Sequence, residues 1–139
     1  MKKSTSGQVS HLPRESHRQK KPKIQLKAKC KLWLSTKDAE GVFGDGKFRL
    51  LKAIETEKSL KTASESLHIS YRKAWGDLKK AQEALNVPLV EKRRGGIRGG
   101  QTALTGHGRK WLKAYAGFRR DIKKAVDKAY KKHIEELAE

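Results

Sequence analysis

"SLKTASESLHISYRKAWGDLKKAQEAL", residues 59–85, is the stretch on which the fold turns. Ser59 stands where a helix N-cap belongs, with a hydroxyl able to accept a bond from a first-turn amide. Leu60, Ala63 and Leu67 follow at helical spacing. "HIS" then breaks the period. His68 falls where a tight turn needs a positive φ, a conformation that histidine tolerates several-fold better than most residues. Ser70 is a second N-cap. From Tyr71 the pattern is helical again, and Tyr71, Trp75, Leu78, Ala81 and Leu85 form the expected inward stripe. Opposite it stand Arg72, Lys73, Lys79 and Lys80, with Gly76 between the two basic pairs.

Pro88 ends this helical pattern. "PLVEK" and "QTALT" then read as two short strands around the loop "RRGGIRGG". Helix, short turn, helix and hairpin is the order of a winged helix-turn-helix, whose second helix enters the major groove of DNA. The hairpin tip from Arg93 to Gly100 is the expected wing. Lys92, Arg93, Arg94 and Arg98 can reach phosphates, while Gly95, Gly96, Gly99 and Gly100 let backbone amides approach phosphate oxygens. Such contacts position a protein without selecting sequence. Selection is expected from Ser70, Tyr71, Arg72 and Lys73 at the start of the helix, where arginine favours guanine through its O6 and N7 acceptors. Tyr71 is ambiguous between core packing and base contact. Gly76 lets the helix approach a duplex closely. An ordinary solvated lysine face is the plain alternative for this surface.

On the N-terminal side, "FRLLKAIE" places Phe48, Leu51 and Ile54 on one helical face with Leu50 beside them. The preceding "TKDAEGVFGDGK" contains a decoy. Gly41, Gly46 and Lys47 have the spacing of a phosphate-binding P-loop, but the next residue is Phe48, where that motif needs Ser or Thr to hold magnesium. The loop is expected only to deliver Lys47 to a helix start. "KAKCKLWLS" alternates Ala28, Cys30, Leu32 and Leu34 against Lys27, Lys29, Lys31 and Trp33, which predicts a half-buried strand with Cys30 on its apolar side. Residues 1–26 carry seven basic residues against Glu15 alone, lack periodic apolar residues and contain Pro13 and Pro22. They are expected to be a disordered basic tail, either solubilising or a non-specific DNA-contacting arm.

Thr105 is placed to cap a last helix running to about Leu137, roughly 50 Å long at about 1.5 Å per residue. Leu112, Tyr115, Phe118, Ile122, Val126, Ala129 and Leu137 recur every three or four positions, apart from one gap near His133. One small domain cannot cover that stripe. A second copy can, and Tyr115, Phe118, Ile122, Val126 and Ala129 are the expected dimer contacts. Acidic Glu135, Glu136 and Glu139 near the helix C-terminus favour some fraying.

Composition bounds the function. The 139 residues hold 34 Lys and Arg against 15 Asp and Glu, a formal charge of +19, which favours polyanions and above all nucleic acid. No apolar run approaches the about 20 residues of a membrane span. A secretory signal is not expected either, and one cysteine fits a reducing, cytoplasmic setting. His11, His17, His68, His107 and His133 show no ligand spacing, so neither a metal, a cofactor nor an enzymatic role is expected.

The stretch from Ser59 to Leu112 resembles the N-terminal DNA-binding domain of the molybdate-responsive regulators, the ModE family. "ISYRKAW", "PLVEK", "GGIRGG" and "LTGHG" carry the resemblance. "LHIS" and "LTGHGR" are also similar to LysR-type DNA-binding domains, a related winged-helix group. The resemblance implies a dimeric transcription factor that binds double-stranded DNA. ModE proteins usually add a C-terminal pair of molybdate-binding modules, for which this chain has no room, so molybdate binding is not expected within it. The expected architecture is mainly α with a small β-hairpin: a basic tail (1–26), a winged helix-turn-helix (27–104) and a long dimerisation helix (105–139). A nucleoid- or RNA-associated basic structural protein is the alternative, though RNA modules usually display stacking aromatics on a sheet. Trp33 is the only evident candidate for that role here.

Overall fold

The computed structural model describes residues 24–94 and 100–138. A two-residue strand β1 (Trp33–Leu34) pairs antiparallel with β2 (Phe43–Gly44), Trp33 opposite Gly44 and Leu34 opposite Phe43. Three helices follow, α1 (Asp45–Glu57), α2 (Leu60–Ser66) and α3 (Tyr71–Leu85). The hairpin of β3 (Val90–Arg93) and β4 (Gln101–Leu104) comes next, antiparallel from Val90 opposite Leu104 to Arg93 opposite Gln101. The long α4 (Gly106–His133) and a last turn, α5 (Glu135–Ala138), complete the order. This is a winged helix-turn-helix followed by a long helix. The residues expected to form the tail through Lys23, and Gly95, Gly96, Arg98 and Gly99 of the expected wing, lie outside the described residues.

Local chemistry sets the boundaries. The Ser59 Oγ accepts from the Thr62 amide at 3.1 Å and the Ser70 Oγ from the Lys73 amide at 3.0 Å. Between α2 and α3 the chain turns through His68 at φ 59°, in the left-handed region. Asn86 at φ 59° closes α3 two residues before Pro88, so the asparagine terminates the helix and the proline merely follows. Lys58, also at φ 59°, closes α1 and donates its amide to the Ile54 carbonyl. Lys47 lies in the first turn of α1, its ammonium 3.2 Å from the Gly41 carbonyl oxygen.

Residues Lys29–Val126 form one compact unit. Its core gathers Val42 and Phe43, Phe48, Leu50, Leu51 and Ile54 of α1, Leu60 and Ala63 of α2, and Ala74, Leu78 and Ala81 of α3. Leu89, Leu104 and Tyr115 close it. Because Tyr115 is a core residue, the compact unit continues past the hairpin into α4 rather than stopping at residue 104.

Four expectations need correction. The strand expected across "KAKCKLWLS" shrinks to Trp33–Leu34, and Cys30 is exposed rather than apolar-side buried. Ala28 and Cys30 offer little area to bury, so nothing holds that segment against lysine solvation. On α3 the buried stripe is Ala74, Leu78 and Ala81, while Tyr71 and Trp75 are 46% and 38% exposed. Alanine at two of those three positions lets α3 approach α1 and α2 closely, and the large rings stand at the margin instead. Tyr115, expected at a dimer interface, is 2% exposed inside its own chain. Finally, α4 stops at His133 with Ile134 in a turn, so the last helix does not run unbroken to Leu137.

Candidate nucleic-acid interface

At 100° per residue, the helix α3 has three kinds of surface. Ala74, Leu78 and Ala81 face the core. Arg72, Gly76 and Lys79 stand opposite them, where Arg72 and Lys79 are exposed and the space above Gly76 is open, since a Cβ built there meets nothing within 4 Å. Lys73 and Lys80 border this face, and the Lys73 ammonium pairs with Asp77 at 3.2 Å. Glu83 is exposed at the far end of the same face, so its cationic part stops before the last turn.

The hairpin lies beside this helix, not apart from it. Lys92 of β3 holds its ammonium 5.6 Å above the Trp75 ring, a cation–π contact that also explains why the ring stays at the surface. Arg93 pairs with Glu91 at 3.1 Å, and Arg94 is exposed. Gly100 is exposed at the start of the returning strand. Tyr71 borders a small cleft with Lys92, Gln101 and Thr102. The structure therefore brings Tyr71, Trp75 and Lys92 together and leaves Arg72 and Lys79 open beside them.

Hydrogen bonds between segments distant in the chain fix this arrangement. The Gln82 Oε1 accepts from the amides of Leu89 and Val90 at 2.7 and 3.1 Å, tying the last turn of α3 to the root of β3. The Thr102 amide donates to the Lys58 carbonyl at 3.1 Å, tying β4 to the end of α1. At the other strand end, the Thr105 hydroxyl donates to the Pro88 carbonyl at 2.6 Å and accepts from the Gly108 amide at 2.9 Å. It caps α4 and pins the hairpin in one group. A Cβ on Gly108 would overlap the Leu89 carbonyl, so only glycine lets α4 start this close to β3. The Arg109 guanidinium adds a bond to the Leu104 carbonyl at 3.0 Å. Glycine two residues into a predicted helix was the one signal for this close approach.

The start of α1 is anchored from the opposite end of the core. Gly44 is its N-cap and offers no side-chain acceptor, so Asp45 supplies the negative charge that a helix N-terminus favours. Its Oδ1 lies 2.9 Å from both the Tyr115 hydroxyl and the Arg119 Nε. Burial, then the Asp45 hydrogen bond and charge, push the Tyr115 hydroxyl well above the ordinary tyrosine range and keep it protonated. Phe43, Phe48 and Phe118 pack their rings 5.1, 5.3 and 5.9 Å from that of Tyr115. Among the described residues no group of three His, Cys, Asp or Glu side chains could hold a metal ion, and no helix is long and apolar enough to cross a membrane.

Residues 46–109 match the family described as bacterial regulatory helix-turn-helix protein, lysR family. That span runs from the first turn of α1 to the first turn of α4. The molybdenum transport protein ModE of Azotobacter vinelandii is 33% identical over 91 residues, which are 66% of this chain and 34% of that protein. The transcriptional regulator ModE of Haemophilus influenzae (strain ATCC 51907 / DSM 11121 / KW20 / Rd) is 36% identical over 83 residues, 59% of this chain and 32% of that protein. The chain thus spans about a third of the length of these curated relatives. Among solved structures, the BenM DNA-binding domain in its complex with benA site 1 DNA superposes with a TM-score of 0.50 at 18% identity, over 65% of this chain and 96% of that chain. The likeness extends to the fold.

Proposed function

We propose that this chain is a cytoplasmic regulator of transcription that binds double-stranded DNA in a sequence-specific way, acts as a homodimer and has no enzymatic activity of its own. The single observation that carries the reading is the Lys92–Trp75 contact of 5.6 Å. It puts the cationic strand of the hairpin on the same side of the molecule as the exposed face of α3. With α3 seated in a major groove, Arg72 at its start meets base edges, Ser70, Tyr71 and Lys73 flank it, and Lys79 and Lys80 lie farther along. Gly76 keeps that face shallow. Lys92, Arg93 and Arg94 of the hairpin then meet backbone phosphates. The matches to ModE proteins and to a BenM DNA complex support the same assignment.

For the dimer, support comes from α4. Beyond Tyr115, the side chains of Phe118, Ile122, Val126 and Ala129 follow one another at intervals of three and four on one face, and Phe118 remains 41% exposed. Pairing of that face with a second copy around a two-fold axis presents two α3 helices to a two-part site. The decisive variant for base recognition is Arg72→Ala. On a duplex selected by the parent protein, the loss should be about 1–3 kcal/mol, and discrimination should relax at one base position. Anisotropy titrations on selected and random duplexes read this directly. Equal weakening on both removes Arg72 from base recognition.

A further inference from the structure

The flank of α3 away from the hairpin opens on a cleft of about 590 Å³. Lys73 and Asp77 of α3 line it together with Trp33, Lys47 and Arg49. Lys31, just before β1, completes the rim. The cleft's two carboxylates are both engaged within the protein: Asp77 by Lys73, and Asp45 by Tyr115 and Arg119. Lys31, Lys47 and Arg49 pair with no carboxylate among the described residues. Lys47 gives one of its three donors to the Gly41 carbonyl, which steadies its ammonium in the cleft. Lys31 and Arg49 are exposed.

The two flanks of the helix are thus both cationic. Tyr71, Trp75 and Gln82 point toward the hairpin with its Lys92, while Lys73 and Asp77 point toward this cleft. A helix lying in the about 12 Å major groove of B-DNA has a phosphate backbone on either side. Cations on a single flank would reach one strand only. The geometry points to the cleft of Lys31, Lys47 and Arg49 as a second phosphate seat, which holds the backbone of the strand bordering α3 on the side opposite the hairpin. It rests on α3 reading a duplex, and its ligand is the sequence-neutral phosphodiester chain.

The test is the salt dependence of duplex binding by the full chain carrying Lys31→Gln and Arg49→Gln together. Two lost phosphate contacts should lower the slope of log affinity against log salt by about 1.8, at roughly 0.9 per phosphate. The fall in affinity between about 50 and 200 mM salt should then shrink by about tenfold. The preference for a selected over a random duplex should stay within about twofold of the parent's, since phosphate contacts carry no sequence. The charge-keeping pair Lys31→Arg and Arg49→Lys should retain the parental slope, which separates charge from damage to the fold. An unchanged slope in the glutamine variant, with the preference for the selected duplex intact, overturns the phosphate seat and leaves the reading of α3 standing. Loss of preference with an unchanged slope overturns it too, by assigning the cleft to bases. A parent protein that binds no duplex removes both.

Discussion

Tyr115 shows how much one side chain can join. Its ring sits among Phe43, Phe48 and Phe118, and its hydroxyl reaches Asp45 in the first turn of α1. The folded chain holds that hydroxyl proton more tightly than the unfolded chain does, because burial and the Asp45 carboxylate both oppose ionisation. The contribution to stability is therefore whole below the ordinary tyrosine value of about 10 and fades as the pH rises beyond it. Tyr115→Phe should lower the thermal midpoint near neutrality through loss of a hydrogen bond to a charged group, about 1.5–3 kcal/mol. The gap between parent and variant should narrow above about pH 10. Melting curves at both pH values check this, and a gap that stays constant contradicts it. At this scale the sequence is legible where the chemistry is local. Ser59, Ser70 and Thr105 cap the helices they precede, and His68 takes the left-handed turn. It is illegible where the partner is remote: the glycine at 108 marks a close approach, but neither Gly108 nor Gln82 reveals that its partner is the backbone of Leu89.

Elements show in a sequence as a period, and a period has limited angular resolution. In α3, Leu78 and Ala81 belong to both the expected and the observed stripe. The difference is whether the neighbouring position is a large ring, Trp75, or a methyl group, Ala74. Hydrophobicity favours the ring, but the narrow space between helices favours the methyl group. The same limit applies to α4, whose stripe contains one residue of the domain's own core, Tyr115, followed by a face still open to a partner. Placing charge on that face, with Ile122→Glu and Val126→Glu together, should convert a sedimenting dimer to monomers. Folding of the helix-turn-helix should persist, because neither residue is in the buried core. A dimer that survives both changes contradicts α4 as the interface.

For the molecule as a whole, a charge of +19 states an appetite for polyanions but not which one. Architecture makes the distinction. Gln82, Thr102 and Thr105 lock hairpin, α1, α3 and α4 into one orientation, so the cations of Arg72, Lys79 and Lys92 reach outward together. The order of helices and hairpin, the fold class and the cationic face of α3 were all readable in the chain. The orientation was not, because it depends on backbone contacts between distant segments. On the proposed function, this oriented surface reads a duplex. Selection of bound duplexes from a random pool by the full chain tests it most directly. The expected result is one enriched, two-part motif with two-fold symmetry, its halves about 10 base pairs apart or a multiple of that. A pool that binds without enrichment of any motif would contradict it.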